Sequence, residues 1–164
     1  MALRNIVKDT DELLHKKSRP VTEFNQKLWD LLEDMAQTMY KADGVGLAAP
    51  QIGMLRRIAV IDVGDGIVEL INPEIIAFSG SQVGQEGCLS SPGIFMDVDR
   101  PMKVTVRAQD RHGERFEVKG KELFARALCH EIDHLDGILF MDRAEEQTEK
   151  GVPVKVKRIP KTKE

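Results

Sequence analysis

His130-Glu131-Ile132-Asp133-His134 decides how this chain is read. The stretch has the form H-E-x-x-H, and its surroundings, residues 121–135, have helical character. On a helix, positions i and i+4 share a face, so His130 and His134 can grip one metal ion while Glu131 projects beside it. The layout suits a metal-assisted hydrolase, in which the ion acidifies a water and the carboxylate moves its proton. A surface helix with two incidental histidines is the plain alternative.

A catalytic ion of this kind takes three protein ligands and leaves one position for water. The extended form H-E-x-x-H-x-x-G-x-x-H is excluded, because Phe140 stands where the last histidine belongs. Downstream carboxylates exist at Glu145, Glu146 and Glu149, but no sizeable second domain follows them. Upstream, Cys88 lies in Gln85-Glu86-Gly87-Cys88-Leu89-Ser90-Ser91-Pro92-Gly93, which is dense in Gly, Ser and Pro and reads as a loop. A lone cysteine is ordinarily a small buried residue. Beside a histidine pair short of a partner, Cys88 becomes the leading third ligand, since thiolate binds borderline divalent ions well. Cys129 directly precedes His130, points about 100° away from it on the helix, and is expected to pack.

Three segments together resemble the peptide deformylases. They are Gly44-Val45-Gly46-Leu47-Ala48-Ala49-Pro50-Gln51, then Glu86-Gly87-Cys88-Leu89-Ser90, then the H-E-x-x-H run continued by Leu135-Asp136-Gly137. They stand in the family's order, and the resemblance spans nearly the whole chain. It implies removal of the formyl group from the N-terminal formyl-methionine of newly made polypeptides, giving formate and a free N-terminal methionine. It implies one divalent ion held by Cys88, His130 and His134: Fe²⁺ in the cell, with Zn²⁺, Ni²⁺ or Co²⁺ as alternatives. Glu131 is then the general acid/base, and Gln51 with the Leu89 backbone N–H stabilises the oxyanion, at about 3 kcal/mol each.

Backbone geometry suggests some substrate contacts, and the resemblance implies Val45, Leu123 and Ala127 as others. Gly44 and Gly46 let a peptide backbone approach closely. Gly44 also reads as a helix cap after Asp43. Val45, Leu123 and Ala127 line the methionine pocket, and Leu123 and Ala127 continue the helix face of the two histidines. Phe95 stands where some relatives carry Arg. Glu86 reads as a structural carboxylate that fixes Gln51 or an arginine. Two rivals remain: another H-E-x-x-H metallohydrolase with a downstream Glu ligand, and an inactive deformylase-like binding protein. The intact Gln51, Cys88, His130, Glu131 and His134 argue against the second.

The chain has 164 residues, 41% of them hydrophobic, enough for one core. Residues 1–149 are expected to form one catalytic domain, and 150–164 a basic, flexible tail. That tail carries six Lys or Arg (Lys150, Lys155, Lys157, Arg158, Lys161, Lys163) and one acid. The remainder holds 18 basic and 26 acidic residues, a net of −8. A basic tail on an acidic enzyme offers a weak ribosome contact, although Pro153 and Pro160 argue against a long helix there. The overall net charge of −3 gives no strong pull toward DNA. No membrane segment or signal peptide is visible, and two cysteines make no disulfide framework, so a reducing cytoplasm fits.

The periodicity predicts an α+β fold: antiparallel or mixed β-sheets packed around the central helix that carries the motif. A short helix is expected after Asp9. A second is expected from a Thr22 cap to Asp43, with Phe24, Leu28, Leu31, Met35 and Met39 facing the core. Strands are expected at 57–63, in two pieces over 68–78 broken by Pro73, at 103–108 and at 116–118, the last two joined by a turn at 111–114. A final strand is expected at 138–141. Trp29 and Tyr40 have no evident partners.

Overall fold

The structure is a computed structural model and describes residues 2–149 and the strand at 156–158. Two antiparallel sheets meet across one helix. The large sheet has the order β1 (Gly46–Ala48), β2 (Ile58–Ile61), β3 (Val68–Ser79), β6 (Lys103–Gln109) and β7 (Arg115–Lys121). The small sheet has the order β4 (Gln82–Cys88), β5 (Ser91–Arg100) and β8 (Val156–Arg158). Helix α1 (Gln26–Lys41) covers one side of β1 and β2; α3 (Phe140–Glu149) lies on β5. Helix α2 (Glu122–Leu135) runs between, touching all strands of the large sheet and β5 of the small one. The expected α+β architecture around a central motif helix is what forms. No helix among the described residues is long and apolar enough to cross a membrane.

The core explains this arrangement. The α1 stripe Leu28, Leu31, Leu32, Met35 and Met39 packs on Leu47, Ile58, Val60 and Ile71. On the other side of the sheet, Ala125, Leu128, Cys129 and Ile132 of α2 pack on Ile61, Leu70, Val104 and Val106. Each fully buried Leu or Ile contributes about 2–3 kcal/mol. Cys129 is buried here as expected. Helix α2 stops in a Schellman motif: Ile138 N–H bonds Asp133 O at 2.9 Å, Gly137 N–H bonds His134 O at 3.1 Å, and Gly137 takes φ +75°. Gly137 is doubly required, since a Cβ there would lie 2.7 Å from His15 backbone atoms.

Several local expectations are corrected. Helix α1 is capped by Asn25, whose side chain accepts from Leu28 N–H, and not by Thr22. The chain before it is held extended because Val21 is bonded to Asn72. Asp43, not Gly44, takes the left-handed position that ends α1, with φ +55°; Asp tolerates that conformation. The first turn is a short 3-10 segment, Glu12–His15, capped by Asp11. β3 passes Pro73 unbroken, because Asn72 (φ +51°) and a bulge absorb the missing donor.

The supposed loop at 85–93 is the β4–β5 hairpin, whose Gly87, Pro92 and Gly93 sit within strands. Residues 138–141 form no strand. Asp142 accepts from Leu139 N–H at 2.8 Å, half of a capping box, and starts α3. Trp29 Nε1 donates to Arg111 O at 2.7 Å, and Tyr40 OH to Asp62 at 2.6 Å. Residues 150–155 and 159–164 of the basic tail lie outside the described residues; Val156–Arg158 between them pairs with β5.

Asn72 acts as a surrogate strand. Its Oδ1 accepts from Val21 N–H at 2.8 Å, while Nδ2 donates to Val21 O at 2.9 Å and Gln109 Oε1 at 2.8 Å. Val21 is only 5% exposed, so its backbone has little access to water. Asn72→Ala is expected to cost about 2–3 kcal/mol, read as a lower urea midpoint with unchanged m-value. An unmoved midpoint would show that water replaces the amide.

Candidate metal centre and substrate pocket

Three elements deliver the central side chains. The last turns of α2 bring His130, Glu131 and His134, all buried. A bulge at the end of β4 turns Cys88 toward them, with Sγ 3.3 Å from His134 Nε2. The donor atoms of Cys88, His130 and His134 all lie within 4.8 Å of one another. Gln51 arrives on the 3-10 turn Ala49–Ile52. Its Oε1 accepts from Ala48 N–H at 2.9 Å, which fixes the amide's orientation. Nε2 then faces Ser90 Oγ at 3.2 Å and Cys88 Sγ at 3.4 Å.

His130 is held from behind. Its Nδ1 lies 2.7 Å from Glu86 Oε1. Burial alone would raise the Glu86 pKa, but His130 and Arg100 outweigh it and keep this carboxyl ionised, well below the usual range. An ionised carboxylate only accepts, so Nδ1 carries a proton, and Nε2 is the nitrogen available for a ligand role. Burial alone would lower the His130 pKa, yet Glu131, Cys88 and Glu86 together lift it well above the ordinary value. The surroundings therefore favour positive charge, which a divalent cation brings through the same ring. His134 is pushed the other way, by burial and by His130, toward the neutral ring that a metal ligand needs.

One thiol and two imidazoles at one focus fit a divalent first-row ion and leave a coordination position open. Beside them, burial pushes the Glu131 carboxyl up to about 7. Its Oε1 is buried and has no hydrogen-bond partner among the described residues. The other oxygen lies against Gly46: a Cβ built there would sit 2.4 Å from Glu131 Oε2. Gly46 thus makes room for the carboxylate, a role the sequence did not suggest.

The cavity outside this centre holds about 440 Å³. Gly44, Val45, Gly46, Leu123 and Ala127 all line it, with Gln51, Cys88, Leu89, His130 and Glu131. Val45 and Leu123 stand at the rim, 45% and 52% exposed, whereas Ala127 is buried. Ile94, Phe95 and Arg126 line it too. Of the two roles open to Glu86, the arginine role is the one observed. Arg100 grips it through Nε at 3.0 Å and Nη2 at 2.7 Å, and Arg126 Nη1 adds a contact at 2.6 Å.

Sequence reading missed the rest of this network. Arg100 Nη1 also reaches Asp133 Oδ2 at 2.6 Å, and Arg143 of α3 holds Asp133 through Nε at 3.1 Å and Nη2 at 2.9 Å. Ser90, the partner of Gln51, was missed as well. The one available signal was helical spacing: Arg126 precedes His130 by four residues and shares its face.

Three donors of metal-ligand type beside a buried carboxylate form the layout of a metal-assisted hydrolase. The family model of polypeptide deformylase matches residues 3–150. The peptide deformylase of Thermoanaerobacter pseudethanolicus is 61% identical over 144 residues, which span 88% of this chain and 91% of that one. The crystal structure of peptide deformylase from Thermotoga maritima is similar with a TM-score of 0.86 and 43% identity, covering 87% of this chain and 98% of that one. A peptide deformylase structure from Legionella pneumophila gives 0.84 and 44%, covering 92% and 95%. The chain belongs to the polypeptide deformylase family. It is a hydrolase that removes N-formyl groups from newly made peptides, and that family implies a divalent metal.

Because Glu131 leans on Gly46, Gly46→Ala is expected to displace the carboxylate and lower kcat about 100-fold. Bound metal per chain should stay unchanged. A kcat within a factor of about two of wild type would show that the carboxylate's position is not critical.

Proposed function

We propose that this chain deformylates N-terminal formyl-methionine with the residues that converge on the pocket. Cys88, His130 and His134 hold the ion, Glu131 moves protons, and Gln51 with the Leu89 N–H stabilises the oxyanion. The observation that carries this reading is the single focus: three donor atoms within 4.8 Å of one another, with the Gln51 amide nitrogen 3.4 Å from the thiol. When bound, a divalent ion supplies the Lewis acidity that turns water into a nucleophile at neutral pH.

The chain's own groups do the rest. Glu131 Oε1, buried and without a partner among the described residues, takes the proton of the attacking water and passes it to the leaving nitrogen. Gln51 Oε1 is engaged by Ala48, so only its N–H groups face the centre. One bonds Ser90, and the other meets the weak acceptor Cys88 Sγ and serves the developing oxyanion. β1 is an edge strand of the large sheet. The substrate backbone runs alongside it at Gly44, Val45 and Gly46 as an added strand. Its first side chain enters the cavity between Val45, Leu123 and Ala127.

We assign Fe²⁺ as the ion in the cell, with Zn²⁺, Ni²⁺ and Co²⁺ acceptable to the same donors. The cytoplasm is the assigned compartment. The basic residues of 150–164 are assigned a weak ribosome contact.

Formate release from formyl-Met-Ala-Ser, beside acetyl-Met-Ala-Ser, tests the reading on anaerobically purified protein. Fast release from the formyl peptide alone is expected, and none from either would overturn it. Glu131→Ala should keep its metal and lose activity by roughly 10²–10⁴-fold; substantial remaining turnover would remove Glu131 from the proton-transfer role.

A further inference from the structure

The two groups assigned to the oxyanion reach the centre on separate pieces of chain. Gln51 comes on the 3-10 turn Ala49–Ile52, and the Leu89 N–H comes on the tip of the β4–β5 hairpin. That tip is Leu89-Ser90, between the paired residues Cys88 and Ser91. Two-residue hairpin loops hold their own shape best as primed turns, which need a residue with positive φ. Neither Leu89 nor Ser90 has one, so the tip depends on support from outside. The N-terminal segment supplies it. Val7 N–H donates to Gln51 O at 2.7 Å, and Asp9 N–H donates to Ser90 O at 2.9 Å. Asp9 Oδ2 accepts from Ser91 Oγ at 2.8 Å. Val7 and Asp9 are half-buried while Lys8 and Thr10 are exposed, the alternation of an extended strap. The strap is fastened upstream, where Asp34 accepts from Ala2 N–H at 2.7 Å and from Arg4 Nη2 at 2.8 Å. Downstream it is anchored by Leu14, which is fully buried.

We propose that Asp9 is a positioning residue for the oxyanion donors. It does not line the cavity and acts through the hairpin tip. Its two bonds set where Ser90 and Ser91 sit. They thereby set where the Leu89 N–H points and where Ser90 Oγ meets the Gln51 amide, 3.2 Å away. Ser91 is 1% exposed, so its hydroxyl has no access to water and must turn to another partner if Asp9 is lost, which shifts the tip. A displacement on the order of 1 Å in a group that binds the transition state is enough to lower kcat. The inference rests on the deformylase reading, in which Gln51 and the Leu89 N–H serve the oxyanion.

Full-length wild type, Asp9→Ala and Asp9→Asn, compared on formyl-Met-Ala-Ser with kcat expressed per bound metal, test it. Asp9→Ala is expected to lower kcat about tenfold and to leave KM within a factor of about two, the pattern of an interaction made only in the transition state. Asp9→Asn keeps an oxygen acceptor for Ser91 and should bring kcat back to within a factor of about two of wild type. A merely structural tie would lower the urea midpoint and the folded fraction without changing kcat per bound metal. An unchanged kcat per metal in Asp9→Ala therefore overturns the proposal, as does a loss that Asp9→Asn fails to restore. If Asp9→Ala does not fold, Ser91→Ala removes the other half of the same bond, and an unchanged kcat there overturns the proposal instead. No turnover by wild type would overturn the deformylase reading, and this inference with it.

Discussion

A helix buried on nearly every side, yet carrying five polar or charged side chains, is the constraint around which this molecule is built. From Ala125 to Leu135, every residue of α2 is buried, including Arg126, His130, Glu131, Asp133 and His134. Such groups survive in an interior only when paired. Glu86 and Arg100 perform most of that pairing: the carboxylate joins two arginines and a histidine, and Arg100 joins two carboxylates. Removing one partner of such a set typically costs about 3–5 kcal/mol, because it strands a buried charge. The small sheet is therefore more than a cover. It supplies the counter-charges that let a polar helix occupy the centre of the fold.

The two groups left unpaired on that helix are the informative ones. His134 Nδ1 and Glu131 Oε1 are buried with no hydrogen-bond partner among the described residues. Around them the electrostatics are arranged in opposition. Glu86 is held ionised and Glu131 is pushed up to about 7, two carboxyls on either side of one histidine driven apart by their surroundings. Separation of this kind is characteristic of acid–base sites.

What was legible in the sequence was what depends on local spacing. The motif helix, its stop at Gly137, the α1 stripe and the β6 alternation are each written in consecutive residues, and each formed. The convergence of Cys88 with the histidines was legible because a pair of ligands asks for a third. The hairpin at 85–93 was not, since Gly and Pro signal turns and only cross-strand pairing overrules them. α3 was hidden by the apolar run at 138–141, which spacing alone cannot tell from a strand; the deciding contact is the Asp142 cap. The charge network was invisible for a different reason. Glu86, Arg100, Arg126, Asp133 and Arg143 come from four elements, and no periodicity links them. Gly46 likewise reads as a flexible residue until Glu131 is placed against it.

The bond between Arg143 and Asp133 has a consequence for the order in which the molecule comes into being. Asp133 is shared between Arg100, earlier in the chain, and Arg143, ten residues later. Synthesis is vectorial, so the thiol at 88 and the rings at 130 and 134 leave the ribosome before the residue that completes their support. Until α3 emerges and docks on β5, Asp133 has only Arg100, which it shares with Glu86, and the histidine bracket is left half-braced. The bracing of the centre is thus coupled to the final helical segment of the domain, and a chain interrupted before Arg143 would carry Cys88, His130 and His134 without part of the frame that holds Asp133.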